Sequence, residues 1–178
     1  STAYLYDNGY INGLLVICPN GVKGTWINEI NTHCPDHVEK NVVVWTGKKT
    51  KKHEEELQSL FITEPAKVHL NVLIMNVDAF ATLRGKDFAR RFLMTRQAMM
   101  TIDESTTIKN PSALRTKSIT KLGLMSRYRV IMTGSPITKS PEDLYAQCNF
   151  LNPDLLGFSS IYTFKMRYCV MTRLSYGG

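Results

Sequence analysis

Five short apolar runs punctuate the chain: LLVIC at 14–18, NVVVW at 41–45, NVLIM at 71–75, MMTI at 99–102 and RVIM at 129–132. Four of them are rich in Val and Ile, the 99–102 run least so. None alternates apolar with polar residues, which is how strands covered on both faces of a parallel sheet read. Helical spacing separates them. Val22, Trp26 and Ile30 recur every fourth position behind Asn20, a candidate cap. Leu57, Leu60 and Phe61 mark a second helix opened by the acids at 54–56, Phe88, Phe92 and Leu93 a third, and Leu114 with Leu122 a fourth. The clearest start is Ser140-Pro141-Glu142-Asp143, with a capping hydroxyl, a proline at the first helical position and acids facing the positive end of the helix dipole. Behind it, Leu144, Cys148 and Leu151 share a face. Strands alternating with helices predict right-handed βαβ units and a three-layer α/β domain over residues 1–157. Residues 158–178 form a basic, aromatic extension that carries Lys165, Arg167 and Arg173 and no acid.

Ligands of an open parallel sheet sit beyond the carboxyl ends of its strands. The 99–102 run ends there in Asp103-Glu104. Phosphoryl-transfer chemistry uses such a pair: one carboxylate holds Mg²⁺, usually through water, and its neighbour orients or deprotonates the attacking water. By itself the pair is equally compatible with acids that merely cap the next helix.

Composition narrows the class. At 178 residues and 43% hydrophobic, the chain suits one globular domain and excludes a disordered tail. No apolar run approaches the ~20 residues of a membrane span, and residues 1–10 lack the features of a signal peptide. The 22 Lys and Arg against 15 Asp and Glu give a net +7, compatible with a polyanionic partner or with simple solubility. Cys18, Cys34, Cys148 and Cys169 are scattered without a C-x-x-C pair, which favours a reducing compartment. His33, Cys34 and His37 lack the fourth ligand that a zinc site needs and read as loop residues.

Further motifs accompany the acid pair. Ile108-Lys109-Asn110 follows it, and Thr133-Gly134-Ser135-Pro136 stands at the end of the next run, ahead of EDLYAQCNFLNPDLLG at 142–157. Upstream lie LLVICPNGVKGTWINEI at 14–30, VVVWTGKKTKK at 42–52, and Asn76 to Phe80. In this order the motifs resemble the first motor domain of the Swi/Snf-type branch of superfamily 2 helicases and DNA translocases, most of all its small phage and bacterial members. The resemblance covers nearly the whole chain. It implies a RecA-like, P-loop NTPase type of fold, ATP and Mg²⁺ as cofactors, sequence-independent tracking along double-stranded DNA, and a cytoplasmic setting in a bacterial or phage-infected cell. By position, Asp103 would hold Mg²⁺ through water and Glu104 would position the hydrolytic water. Thr133, Gly134, Ser135 and Pro136 would couple the nucleotide site to DNA. Pro19, Asn20, Gly21, Lys23, Trp26, Asn76, Asp78, Lys109 and Asn110 would line the DNA surface. The basic residues at 48, 49, 51 and 52, with Arg84, Arg90, Arg91, Arg115, Lys117 and Lys121, could add to the field or simply solvate helix faces. Trp26 also fits a core stripe.

The chain departs from that pattern. It contains no G-x-x-x-x-G-K-[ST] loop, because Val42 stands where the 47–50 stretch would need its first glycine. The loop, its strand and the second motor domain are therefore expected outside residues 1–178, and the fragment is expected not to turn over ATP. Loss of the P-loop strand should leave a gap or unpaired edge beside the 99–102 strand and a marginally stable, aggregation-prone product. Thr106 replaces the family's usual His and Lys139 its usual Asn, which bears on coupling. Two alternatives remain: a non-catalytic RecA-like DNA-binding module, and an unrelated nucleotide-binding transferase, for which Pro19-Asn20-Gly21 supplies only one glycine.

Overall fold

A computed structural model describes residues 2–62 and 69–169. Each apolar run becomes a strand, shifted by no more than one residue at either end: β1 (Gly13–Cys18), β2 (Lys40–Val44), β3 (Leu70–Asn76), β4 (Ala98–Asp103) and β5 (Tyr128–Met132). They pair in parallel in the order β2-β3-β1-β4-β5. The helices are α1 (Thr2–Asp7), α2 (Lys23–His33), α3 (Lys51–Ser59), α4 (Leu83–Thr95), α5 (Leu114–Gly123), α6 (Glu142–Leu151) and α7 (Ile161–Tyr168). The predicted three-layer architecture is present.

Successive side chains along a strand point to opposite faces, so each central strand feeds two cores. Leu15 and Ile17 of β1, Leu73 and Met75 of β3, and Met100 and Ile102 of β4 enter one core, with Leu57, Phe92, Ile119 and Phe150 from α3, α4, α5 and α6. Leu14, Val16 and Cys18 join Val72, Ile74 and Met99 on the other face, beneath α1 and α2. This second core is thinner. No residue of α2 is buried; Val22, Trp26, Ile27 and Ile30 cover it only in part.

The structure corrects four expectations. Strand β4 is not beside a gap: Met99 pairs with Leu14 of β1 on one side and Tyr128 of β5 on the other. Both neighbours of β4 come from within the chain, so the outer edge falls on β5, whose Val130 is 37% exposed. Asn20 does not cap α2. It lies in a short 3-10 turn (Asn20–Val22), and Val22, without a side-chain bond, occupies the cap. Ser140 does not cap α6 either, since Pro141 takes that place and makes no side-chain cap bond. The buried face of α6 is Tyr145, Ala146, Gln147, Cys148 and Phe150 rather than a Leu144–Cys148–Leu151 stripe. Packed against α5, α7 and β5 together, α6 is covered on more than one side. Cap chemistry is found instead at Thr50, which accepts from the His53 amide at 3.3 Å, and at Thr82, which accepts from the Gly85 amide at 3.1 Å. Residues 158–169 continue into α7, whose Phe164 packs on Tyr145 and Phe158; residues 170–178 lie outside the described part.

Two glycines test the packing. A Cβ on Gly85 would stand 2.3 Å from the Ala79 carbonyl oxygen, where α4 closes on the turn after β3. One on Gly24, in α2, meets nothing within 4 Å. Gly85→Ala is predicted to destabilise by about 1–3 kcal/mol, and Gly24→Ala to stabilise by about 0.5 kcal/mol. Urea unfolding midpoints that move in opposite directions are the expected result.

Candidate active site at the strand ends

Parallel pairing brings the ends of four strands to one level. Cys18 pairs with Asn76, Ile17 with Ile102 one step earlier, and Asp103 with Met132. The chain leaves each strand from this rim. The turn with Pro19, Asn20 and Gly21 follows β1, the 3-10 turn Val77–Ala81 follows β3, Glu104 and the 3-10 turn Ser105–Ile108 follow β4, and Thr133 to Pro136 follow β5.

Asp103 is half-buried at the tip of β4, and the indole Nε1 of Trp26 donates to its Oδ2 at 2.8 Å. The ring of Trp26 packs on the thinner core, in keeping with the stripe it belongs to, while its N–H reaches the rim. Beside them, burial pushes the Cys18 thiol up to about 11; the Asp103 charge adds to the rise and Lys23 opposes it. A thiol so held stays protonated and acts as a small apolar filler.

Glu104 is exposed, and its backbone lies in the left-handed region at φ 51°, ψ 62°. Among the described residues it is the one non-glycine with positive φ. That conformation costs a residue with a Cβ roughly 1–2 kcal/mol and persists only where neighbours impose it. The neighbour is at hand. Ser105, fully buried, donates through Oγ to Oε1 of Gln147 at 2.5 Å. Gln147 Nε2 in turn donates to the Pro136 carbonyl at 2.7 Å and to the Asp143 carbonyl at 2.8 Å.

Asp143 points backwards from α6. Its Oδ2 accepts from the Thr138 hydroxyl at 2.7 Å, the Lys139 amide at 2.8 Å and the Thr138 amide at 3.0 Å. The Thr138 hydroxyl bond is the largest cause holding this carboxyl down at about 2; burial opposes it, and the two amides and the Lys109 charge assist. Lys109 Nζ donates to Thr138 Oγ1 at 2.8 Å. Sequence reasoning read Asp143 only as an acid at the helix start and did not single out Gln147; both are buried on a face of α6 that the Leu144–Cys148–Leu151 stripe did not indicate.

The remaining predicted positions spread along the same rim and its loops. Pro19, Lys23 and Asn76 are half-buried, and Asn20, Gly21 and Gly134 are exposed, with open space before both glycines. Thr133 Oγ1 accepts from the Ser135 amide at 3.2 Å, which tightens that loop. Asp78 is engaged by Arg115 Nη1 at 2.9 Å, and Asn110 Oδ1 holds its own turn through Ser112 Oγ at 2.7 Å. Arg84 is engaged too: it pairs with Glu54, donates to the Gly47 carbonyl at 2.8 Å and stacks 4.8 Å over Trp45. Arg91 stacks 3.9 Å over Phe61. His33 pairs with Glu29 at 3.2 Å and His37 with Asp7 at 3.0 Å. No group of three or more His, Cys, Asp or Glu able to hold a metal exists among the described residues.

Comparison with known proteins decides the family, since the SNF2-related domain profile matches residues 3–172. This chain belongs to the SNF2-related domain family. It is 31% identical over 163 residues to the ISWI chromatin-remodeling complex ATPase CHR17 of Arabidopsis thaliana, covering 91% of this chain and 14% of that protein. It is 28% identical over 141 residues to the human helicase-like transcription factor, covering 77% of this chain and 12% of that one. Among solved structures, the Sulfolobus solfataricus SWI2/SNF2 ATPase core in complex with dsDNA matches with a TM-score of 0.64 and 25% identity, over 92% of this chain and 30% of that one. This SNF2-related domain therefore spans about a seventh of the length of the first of these relatives.

Two predictions follow from the site's geometry. Glu104→Gly, which needs no strain at positive φ, should be more stable than Glu104→Ala by about 1 kcal/mol, read as the difference in thermal midpoint. Asp143 has a folded pKa below its unfolded value, so its contribution is full above the ordinary carboxylate range and is lost as pH falls from about 4 to about 2. Thermal midpoints of Asp143→Asn measured across that window should fall less steeply than those of the wild type.

Proposed function

We propose that this SNF2-related domain is part of the first RecA-like lobe of an ATP-dependent motor that moves along double-stranded DNA. The observation that carries the reading is the meeting of the Asp103-Glu104 pair, the 133–136 loop and, through Trp26, the helix after the β1 turn at one sheet rim. The names of the relatives, an ATPase of a remodelling complex and an ATPase core bound to dsDNA, support it.

The residues suit a magnesium nucleotide. Mg²⁺ is typically held by one or two carboxylates plus substrate phosphates rather than by an all-protein cage. A half-buried carboxylate at a strand tip, with no larger cluster around it among the described residues, is that kind of donor. Asp103 would hold the ion through water, with Trp26 fixing the carboxylate by its bond to Oδ2. When bound, Mg²⁺ would neutralise charge developing on the phosphates. Glu104, exposed beside Asp103, would orient the attacking water and take its proton. A phosphate-cradling loop and a second motor lobe, supplied by the intact protein, would complete the site. The exposed turn at Asn20 and Gly21, with the half-buried Lys23 beside it, would face DNA phosphates, contacts that fix register without reading sequence.

In the intact protein, Glu104→Gln is expected to lower DNA-stimulated ATP hydrolysis by about 100-fold or more, with nucleotide affinity retained. Steady-state turnover and equilibrium nucleotide binding check this. Unchanged turnover would remove Glu104 from its role and favour a DNA-binding module without catalysis.

A further inference from the structure

We propose that Gln147 is a positioning residue that ties the 133–136 loop to the backbone of Glu104 through Ser105, so that displacement of that loop changes the aim of the Glu104 carboxylate. The proposal rests on the motor reading above and deepens it.

Gln147 and Ser105 both have no exposed surface. A carboxamide in such a place is costly unless its hydrogen bonds are made. Here it joins three separate pieces of chain: the hydroxyl one residue after Glu104, the last carbonyl of the Thr133–Pro136 loop, and the carbonyl one turn back on its own helix. The third bond sets the direction of the amide; the first two make it a bridge. An apolar residue of similar volume would fill the space without bridging anything. The ends of the bridge are stiff as well. At one end the fixed φ of Pro136 removes a torsion from the loop that carries the accepting carbonyl. Glu104 is held at φ 51°, a conformation that relaxes unless its neighbours impose it. The Thr107 amide donates to the Glu104 carbonyl at 2.9 Å, and the Ser105 hydroxyl bond ties the next residue to α6. Movement at Pro136 therefore reaches the Glu104 backbone through two hydrogen bonds and one rigid amide.

The test uses the intact protein and three variants: Ser105→Ala, Gln147→Met and the double substitution. Loss of one bridging bond is expected to lower DNA-stimulated kcat, normalised to titrated nucleotide-binding sites, by about tenfold, with the KM for ATP and the DNA affinity unchanged. The double variant should be no slower than the slower single one, because both substitutions cut the same bridge. A purely structural role would instead reduce the number of binding sites and leave kcat per site intact. Unchanged kcat per site in Ser105→Ala, or multiplicative losses in the double variant, overturns the proposal. Should Gln147→Met fail to fold, kcat per site in Ser105→Ala decides alone. If the wild type shows no DNA-stimulated hydrolysis, the motor reading itself falls; if it does and the variants match it, only the role of Gln147 falls.

Discussion

Parallel pairing is the constraint from which the rest follows. Five strands running one way put five carboxyl ends on one rim, and the chain must cross back over a face of the sheet before the next strand can begin. Irregular backbone collects at that rim, and with it the polar groups that the doubly covered strands exclude. Side chains far apart in sequence become neighbours there. Trp26 meets Asp103 across 77 positions, and Ser105 meets Gln147 across 42.

The fold was largely legible. Runs such as NVVVW and NVLIM are too short for helices and too uniformly apolar for strands with a wet face, so they announce a buried parallel sheet. Helix ends were less so. The Asn20 amide and the Ser140 hydroxyl had the right chemistry for caps, yet Val22 and Pro141 occupy those cap positions without a side-chain bond, while Thr50 and Thr82 cap other helices. Strand order was the other blind spot. Hydrophobicity shows that a strand is covered, not by which neighbour, so nothing in MMTI tells that β5 fills the place beside it.

The candidate site was legible where chemistry is local and hidden where it is assembled. An acid pair at a strand tip and a Thr-Gly-Ser-Pro turn can be found by reading along the chain. The left-handed backbone of Glu104 cannot, because nothing in the residue type demands it; the surroundings impose it. The roles of Asp143 and Gln147 emerge only when α6 is seated against the turn after β4 and the loop after β5.

The two faces of the sheet hold their helices with unequal strength. Helices α4, α5 and α6 are anchored by fully buried side chains such as Phe92, Ile119 and Phe150, whereas α2 buries none and leans on the sheet through partly covered residues. Tilting a helix so lightly seated disturbs little packed volume, while moving its counterparts would open voids. The molecule is built as an anvil with one loose plate. Between that lightly seated helix and the strand tip runs a directional tie, the bond from the Trp26 indole to one carboxylate oxygen of Asp103.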